Sequence, residues 1–389
     1  MSKTIRDCLL LTVYCLLLTV LIWLPHLLAL PNLFGLDFSK GFNIIYRNFD
    51  GLDYVVIAKS FYQPGWLATV PQNYPASYYA SHFPGYSLVI WGLAPLFGYL
   101  KSMLLSSLLF TLLSTITFYF FIRDFQLTKH PLILSVLFLI LPARWLVVHS
   151  VGSSEPMFIF FILLSIYGFM RFEKQSQTKW IWLTAAGGVG AQLTRPPGIL
   201  LVVALSLYIH TKVYLNFKRI GLKAAVLDHL KYWPLVFIPL TLIAVFAYFQ
   251  FALGDFAAYF HSGDNIHLTF PPFKVFNKNQ FWVGEIWLED IIYIFILGLL
   301  AGITLLKQRL YPMGFFALTY LISIFFVAHR DIARYSLPIF PFLLIAFEKV
   351  LVSKEFRLVI IILALAIYLY AQNFLLYNIA PIPNLDLFN

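Results

Sequence analysis

Three carboxylates stand at the edges of long apolar runs. Asp50 and Asp53 lie in Phe49-Asp50-Gly51-Leu52-Asp53-Tyr54, and Glu155 in Ser153-Ser154-Glu155-Pro156. A carboxylate beside a membrane segment is partly desolvated, which raises its pKa toward the range of a useful general base. Guanidinium groups recur in the same kind of place. Arg195 breaks an apolar run in Leu193-Thr194-Arg195-Pro196-Pro197-Gly198, and Arg330 and Arg334 lie in His329-Arg330-Asp331-Ile332-Ala333-Arg334-Tyr335. A guanidinium holds two oxygens of one phosphate at once, so these arginines suit an anionic substrate at the membrane surface. Each group also has a plainer account. The aspartates and Glu155 can be helix-terminal charges. Arg195 can clamp a carbonyl or pair with Glu155, and Arg330, Asp331 and Arg334 can form an ion network.

The elements that must hold these residues are membrane helices. The chain is 61% hydrophobic and only 11% charged, with a mean hydropathy of +0.82. In such a chain the few ionisable residues near the bilayer are the first candidates for function. Residues 8–30 are long enough to cross a hydrocarbon core of about 30 Å, and too long for a signal-peptide core, so no cleavage is expected. Further apolar runs fall near 83–100, 103–122, 131–148, 154–170, 181–194, 196–210, 234–253, 291–306, 313–328, 335–352 and 358–380. The expected fold class is all-α and polytopic, with about 11–13 transmembrane or re-entrant helices in one domain spanning 1–389. Segment 83–100 gives one crossing too many, and with Pro84 and Pro95 it reads as re-entrant or interfacial.

Basic residues set the orientation. The pieces 1–7, 123–130, 171–180, 211–233, 307–310 and 353–357 hold 16 of the 27 Lys and Arg but five of the 17 acids. By the positive-inside rule they face the cytoplasm, as does the N-terminus. The net charge of +10 therefore speaks for orientation and anionic lipid, and no nucleic-acid partner is expected. The basic stretch 211–233 reads as a surface helix on lipid. Cys8 and Cys15, seven apart on one helical face, imply no disulfide.

Two outer loops remain, 31–82 and 254–290. Leu52, Val55, Val56 and Phe61 recur at helical spacing, which predicts a short amphipathic helix at the interface with Asp50 and Asp53 in its first turn. The second loop carries Phe270, Phe273, Phe276, Phe281, Trp282 and Trp287, suited to stacking on a sugar or to an interfacial belt. It also carries Glu285, Glu289 and Asp290. His261, Asp264 and His267 have only loosely metal-like spacing; no structural metal is expected, no cofactor is firmly implied, and a catalytic divalent ion stays open. Gly187-Gly188-Val189-Gly190-Ala191 lies in an apolar span without a following Lys and is read as helix packing.

Four short motifs occur in order: Phe49-Asp50-Gly51-Leu52-Asp53-Tyr54 with Ile57-Ala58; His82-Phe83-Pro84-Gly85-Tyr86; Ser154-Glu155-Pro156-Met157-Phe158; and Thr194 to Gly198. Together they resemble the PIG-V-like mannosyltransferases and, more broadly, the GT-C superfamily of polyprenyl-phosphate-sugar glycosyltransferases, over roughly residues 1–210. Phe49 stands where that family usually has Trp, and Ser87 where a second Pro is common.

The resemblance implies a GT-C-like fold and inverting transfer of a hexose, mannose among the candidates, on the non-cytoplasmic face. The donor would be a polyprenyl-phosphate sugar, and the acceptor a lipid, glycan or protein. It implies Asp50 as base, with Asp53 and Glu155 assisting or orienting the acceptor. His82, Tyr86 and Arg195 would bind substrate; Arg330, Arg334 and Tyr335 lie beyond the likeness and are substrate-binding candidates from their residue types alone. Membrane lipids are the other expected partners. The lack of tails and glycosylation sequons favours a bacterial plasma membrane over the endoplasmic reticulum. The alternatives are a transporter or lipid flippase, which should show paired repeats and midplane charges, and a catalytically silent scaffold.

Overall fold

The computed structural model describes residues 3–70, 74–221, 229–263, 267–283, 288–382 and 384–388, without the side chains of 216–220. Among them all regular structure is helical, apart from three isolated bridges. We label the principal helices α1 (Lys3–Leu27), α2 (Gly51–Ser60), α3 (Pro84–Phe97), α4 (Tyr99–Asp124), α5 (Pro131–Ile140), α6 (Glu155–Gln175) and α7 (Thr178–Thr194). They continue with α8 (Ile199–Ile220), α9 (Phe237–Leu253), α10 (Glu289–Lys307), α11 (Tyr311–Ile324), α12 (Ile332–Tyr335) and α13 (Lys354–Tyr377). With their flanking turns, α1, α4, α6, α8, α9, α10 and α13 are long and apolar enough to cross a membrane. The chain is an integral, multi-pass membrane protein.

All twelve apolar segments are helical, but two are broken. The run 131–148 stops at Ile140 because Leu141 precedes Pro142 and is held extended. The run 335–352 passes through short turns around Leu337-Pro338 and Glu348. The third irregular one is α3. Its first turn lies beside the second and third turns of α4, where the Tyr86 hydroxyl donates a hydrogen bond to the Met103 carbonyl (2.6 Å) and pairs with Ser107 Oγ (2.7 Å). Its far end turns directly into α4 at Gly98. With both ends toward the same end of the bundle, α3 does not cross, and the surplus crossing disappears.

Several polar side chains inside the bundle are satisfied by its own backbone. On α4, Ser106, Thr111 and Thr115 donate back to carbonyls one turn earlier, at 2.7–2.8 Å. Small residues set the α6–α7 distance: a Cβ on Gly187 would come within 2.7 Å of the Ser165 backbone nitrogen. Close helix packing is the role expected of this glycine run.

The basic pieces converge at one end. Arg123 reaches Thr4 (3.0 Å), and Asp124 pairs with Arg123 and Arg171 while accepting from the Tyr167 hydroxyl. Nearby, Glu173 accepts from Tyr208, Tyr232 and Lys212. Part of 211–233, Lys223 included, lies outside the described residues. From this end α6 extends 21 residues and α7 17 residues to the opposite end. At 1.5 Å per residue these are about 31 and 25 Å, close to one hydrocarbon thickness. Glu155 and Arg195 therefore sit at the far membrane boundary.

The helix α2 corrects an expectation. It is not an interfacial amphipathic helix, because every residue from Gly51 to Ala58 is buried. Gly51 lets it press on the loop before α6: a Cβ there would meet the Gly152 carbonyl oxygen at 2.8 Å. Gly85 plays the same part for α3, where a Cβ would meet the Leu193 backbone at 2.8 Å. Overpacking of this kind costs about 1–3 kcal/mol. Gly85→Ala is expected to lower the unfolding temperature in detergent and to cut activity further, by moving His82 relative to Arg195. Gly92→Ala, with nothing within 4 Å of the new methyl, is the neutral control. Equal stability of the two variants would refute the packing argument.

Candidate active site

Asp50 occupies the N-cap position of α2, yet its side chain caps nothing. Phe49 adopts a left-handed φ of 49°, turning the chain just before Asp50. Asp50 Oδ2 accepts a hydrogen bond from Arg334 Nη2 at 2.7 Å. The Arg334 guanidinium lies 4.4 Å from the centre of the Phe49 ring, which stacks in turn on Phe374. The aromatic residue before the aspartate is thus a platform for the arginine that holds it.

Arg334 also donates through Nε to Glu155 Oε1 at 2.6 Å, and Arg195 Nη1 donates to the same oxygen. Glu155 opens α6 and is 1% exposed, and its Oε2 has no hydrogen-bond partner among the described residues. Arg195 comes from the extended break between α7 and the turn Pro196–Gly198, as the Pro-Pro-Gly signal predicted. The result is a chain of alternating charge, Asp50–Arg334–Glu155–Arg195, assembled from four distant parts of the sequence. The expected ion pair of Arg195 with Glu155 is present.

Asp53 lies one turn after Asp50 and is 6% exposed. The Tyr78 hydroxyl donates to its Oδ2 (3.4 Å), and His82 Nε2 stands 4.0 Å from the same oxygen. His82 Nδ1 is hydrogen-bonded to Ser81 Oγ at 2.9 Å. Tyr54 packs edge-on against His82 and Tyr86, and its hydroxyl meets Ser154 Oγ at 2.8 Å. One oxygen or nitrogen from each of Asp50, Asp53 and His82 lies within 4.8 Å of the others.

The electrostatics reverse one expectation. Burial alone would raise the Asp50 carboxyl, but Arg334, His82 and Arg195 together outweigh it and hold Asp50 below the usual carboxylate range. Burial dominates at His82 instead: opposed by Asp50 and helped by Arg334 and Arg195, it pushes the imidazole down to about 4. Both groups have folded pKa values below their unfolded ones, so each contributes stability at high pH that is lost on acidification. For His82 the loss begins near its ordinary 6.5 and runs to about 4. Unfolding temperature is therefore expected to fall as pH drops through that window, and His82→Gln to flatten the slope. An unchanged slope in the variant would remove His82 as its source.

Of the other expected site residues, Tyr86 and Arg330 lie elsewhere. Tyr86 is fully buried, with its hydroxyl spent on Met103 and Ser107, so it is a structural residue. Arg330 is exposed and lies over the Phe281 ring, away from the carboxylates. The Arg330–Asp331–Arg334 network does not form, because Asp331 faces Arg144 (3.4 Å) and Arg334 turns inward. Tyr335 follows Arg334 and packs on His329. Arg144 is the residue missed: its guanidinium stacks 3.9 Å from Phe374. An arginine inside the apolar run 131–148 was the available signal.

The second outer loop packs beside this site. Thr269 donates its backbone N–H to the Phe326 carbonyl (2.7 Å), Trp282 approaches His329, and Tyr259 packs on Phe83. His261 pairs with Asp255 and His267 with Ser262. Asp264, Glu285 and Trp287 lie outside the described residues. Phe270 and Phe281 are exposed, whereas Trp282 is buried with its indole N–H donated to the Val275 carbonyl.

An apolar groove of about 360 Å³ opens between α2, α3, α7 and α9, lined by Ile57, Phe61, Leu88, Leu193, Val245 and Tyr248, with Pro84 and Leu193 each two residues along the chain from His82 and Arg195.

Residues 55–260 match the family model described as dolichyl-phosphate-mannose-protein mannosyltransferase. The matched stretch includes His82, Glu155 and Arg195, and begins five residues after Asp50. No curated protein sequence matches the chain. Among solved structures, the chain is similar to ArnT from Cupriavidus metallidurans bound to undecaprenyl phosphate. That likeness has 15% identity and a TM-score of 0.58, and covers 91% of this chain and 62% of that one. The chain thus spans less than two thirds of the length of that structure, and at this identity the likeness is one of fold. The polytopic helical architecture expected from the apolar runs is the one observed.

Proposed function

The chain belongs to the dolichyl-phosphate-mannose-protein mannosyltransferase family, and from that premise we propose that it is a membrane glycosyltransferase of the GT-C type. It takes a hexose, mannose first among the candidates, from a polyprenyl-phosphate donor and passes it with inversion to a lipid, glycan or protein hydroxyl. The reaction takes place on the non-cytoplasmic face, opposite the basic end of the bundle. The reading is carried by the Asp50–Arg334–Glu155–Arg195 relay at the membrane boundary, beside an apolar groove.

The acceptor oxygen attacks the anomeric carbon from the side opposite the phosphate. As that C–O bond forms, the bond from the anomeric carbon to the phosphate oxygen breaks, leaving its electron pair on the polyprenyl phosphate. The acceptor proton passes to Asp50. The phosphate changes from a singly charged diester to a monoester of nearly two charges, and Arg334 and Arg195 stabilise the charge that develops. The donor phosphate competes with Asp50 for Arg334. Once Arg334 turns to the phosphate, Asp50 loses the contact that depresses its pKa and becomes the stronger base. Asp53 and His82 line the acceptor side, and the groove holds the prenyl chain.

The decisive assay follows transfer from radiolabelled polyprenyl-phosphate mannose to membrane lipid by the purified protein, with glucose and arabinose donors in parallel. Transfer from at least one donor is expected; folded protein inert toward all three would sink the reading. Filling the groove tests the lipid tail separately. Val245→Trp should raise KM at least tenfold for a long-chain donor and leave a short-chain donor unaffected. Equal effects on both donors would place the tail elsewhere.

A further inference from the structure

A second cavity, of about 400 Å³, shares no lining residue with the apolar groove or with the charge relay. It opens between residues 43–47 of the first outer loop, the junction of α3 with α4 at 97–101, and the C-terminal turn 384–386. Its height is set by α4. That helix runs 26 residues from Asp124 at the basic end, about 39 Å at 1.5 Å per residue, against a hydrocarbon core of about 30 Å. The first turn of α4, with Lys101, therefore stands in the headgroup layer at the far end. Phe97 forms one wall, and both it and its neighbour Leu96 are exposed, Leu96 to 76%. The cavity thus opens at headgroup height beside an apolar surface fit for acyl chains.

Three charged residues line it, Arg47, Lys101 and Asp386, and they are not spent on one another. Lys101 is exposed and has no hydrogen bond, ion pair or ring contact among the described residues. Arg47 commits Nε and Nη2 to the Ala380 carbonyl, at 3.2 and 2.8 Å, and leaves Nη1 with both its hydrogens. Asp386 is exposed, and among the described residues its carboxylate pairs with neither cation. Opposite charges that share a cavity without pairing are complementary to a dipolar ligand. The two cations suit a phosphate, and the carboxylate suits an ammonium with hydrogens to donate.

We propose that this cavity binds one phosphatidylethanolamine molecule from the leaflet opposite the basic end. Its phosphate lies on Arg47 and Lys101, its primary ammonium on Asp386, and its acyl chains run down past Phe97 and Leu96. Phosphatidylglycerol offers the phosphate without the ammonium. Phosphatidylcholine offers the charge, but its quaternary nitrogen has no hydrogen to give Asp386. The bound lipid ties the C-terminal turn and α4 to the first outer loop at Arg47, three residues before Asp50. The site stands whether or not the chain transfers sugar.

The test uses the full-length protein in detergent, stripped of lipid and titrated with the three phospholipids on matched acyl chains. Bound lipid is counted by native mass spectrometry. One phosphatidylethanolamine per chain is expected, held about tenfold tighter than either competitor, the worth of one hydrogen bond between charged groups. Lys101→Gln should weaken all three lipids, whereas Asp386→Asn should weaken phosphatidylethanolamine alone and erase its lead. Both side chains are exposed, so an unfolding temperature equal to wild type without lipid is expected and shows each variant folded. Free phosphoethanolamine and inorganic phosphate, lacking acyl chains, should not displace the lipid. Equal affinity for the ethanolamine and glycerol headgroups, unchanged binding in Lys101→Gln, a lead that survives Asp386→Asn, or displacement by inorganic phosphate would each overturn the proposal.

Discussion

Asp50→Asn is expected to lower kcat for sugar transfer by about 10²–10⁴-fold, the range a positioned general base supplies. The substitution keeps the shape of the side chain and an oxygen able to accept from Arg334, so the elution profile in detergent should be unchanged. It removes the charge with which the donor phosphate competes for that guanidinium. The donor KM is therefore expected to hold or fall while kcat collapses, a split that lost folding would not give. The pH profile carries the same logic. In the empty site Asp50 is held below the usual carboxylate range, so the acid limb of kcat/KM lies low, and in the loaded site the limb of kcat moves up as Arg334 turns to the phosphate. A variant that transfers sugar at the wild-type rate would take Asp50 out of the mechanism.

Glu155→Gln is expected to destabilise the fold by about 3–5 kcal/mol, the cost of breaking a buried ion pair from one side. Glu155 is 1% exposed and accepts from both Arg195 and Arg334 through one oxygen, so the amide leaves two buried cations facing each other without the charge between them. The measurement is the unfolding temperature in detergent beside Arg195→Gln and the double variant. Coupling is expected: removing one cation as well should recover part of the loss, making the double variant more stable than the sum of the singles. Strict additivity, or an unaltered unfolding temperature in Glu155→Gln, would mean that this carboxylate is not the keystone of the cluster.

Hydropathy located the long helical segments, because a span must satisfy its own backbone in lipid and so must be long and apolar. It could not say which segments face lipid and which face protein. The helix Gly51–Ser60 looks amphipathic, yet Asp53 points into the site, Lys59 reaches the Leu387 carbonyl, and the apolar residues enter a core built from distant helices. Likewise the sequence offered Arg330 and Arg334 as equals. They separate because Arg334 lies on the single turn Ile332–Tyr335 and is carried inward, while Arg330 precedes it and swings to Phe281. The aspartate and glutamate were legible from their motifs, but the sign of the shift at Asp50 was not. Burial can be anticipated locally, whereas the cation that overrides it stands 284 positions later.

The lengths of α6 and α7 have a bearing on where in the cell such a site can work. The relay hangs from the ends of two rods anchored at the basic end, so its height above that anchor is a count of residues. One added helical turn moves it by about 5.4 Å, a large fraction of the difference between thin and thick biological membranes. A bilayer thicker than these rods would draw the carboxylates under the acyl chains, away from any water-borne acceptor. A thinner one would lift them clear of the plane in which a prenyl phosphate floats. The span of α6 and α7 is in that sense a gauge that matches this protein to one class of membrane.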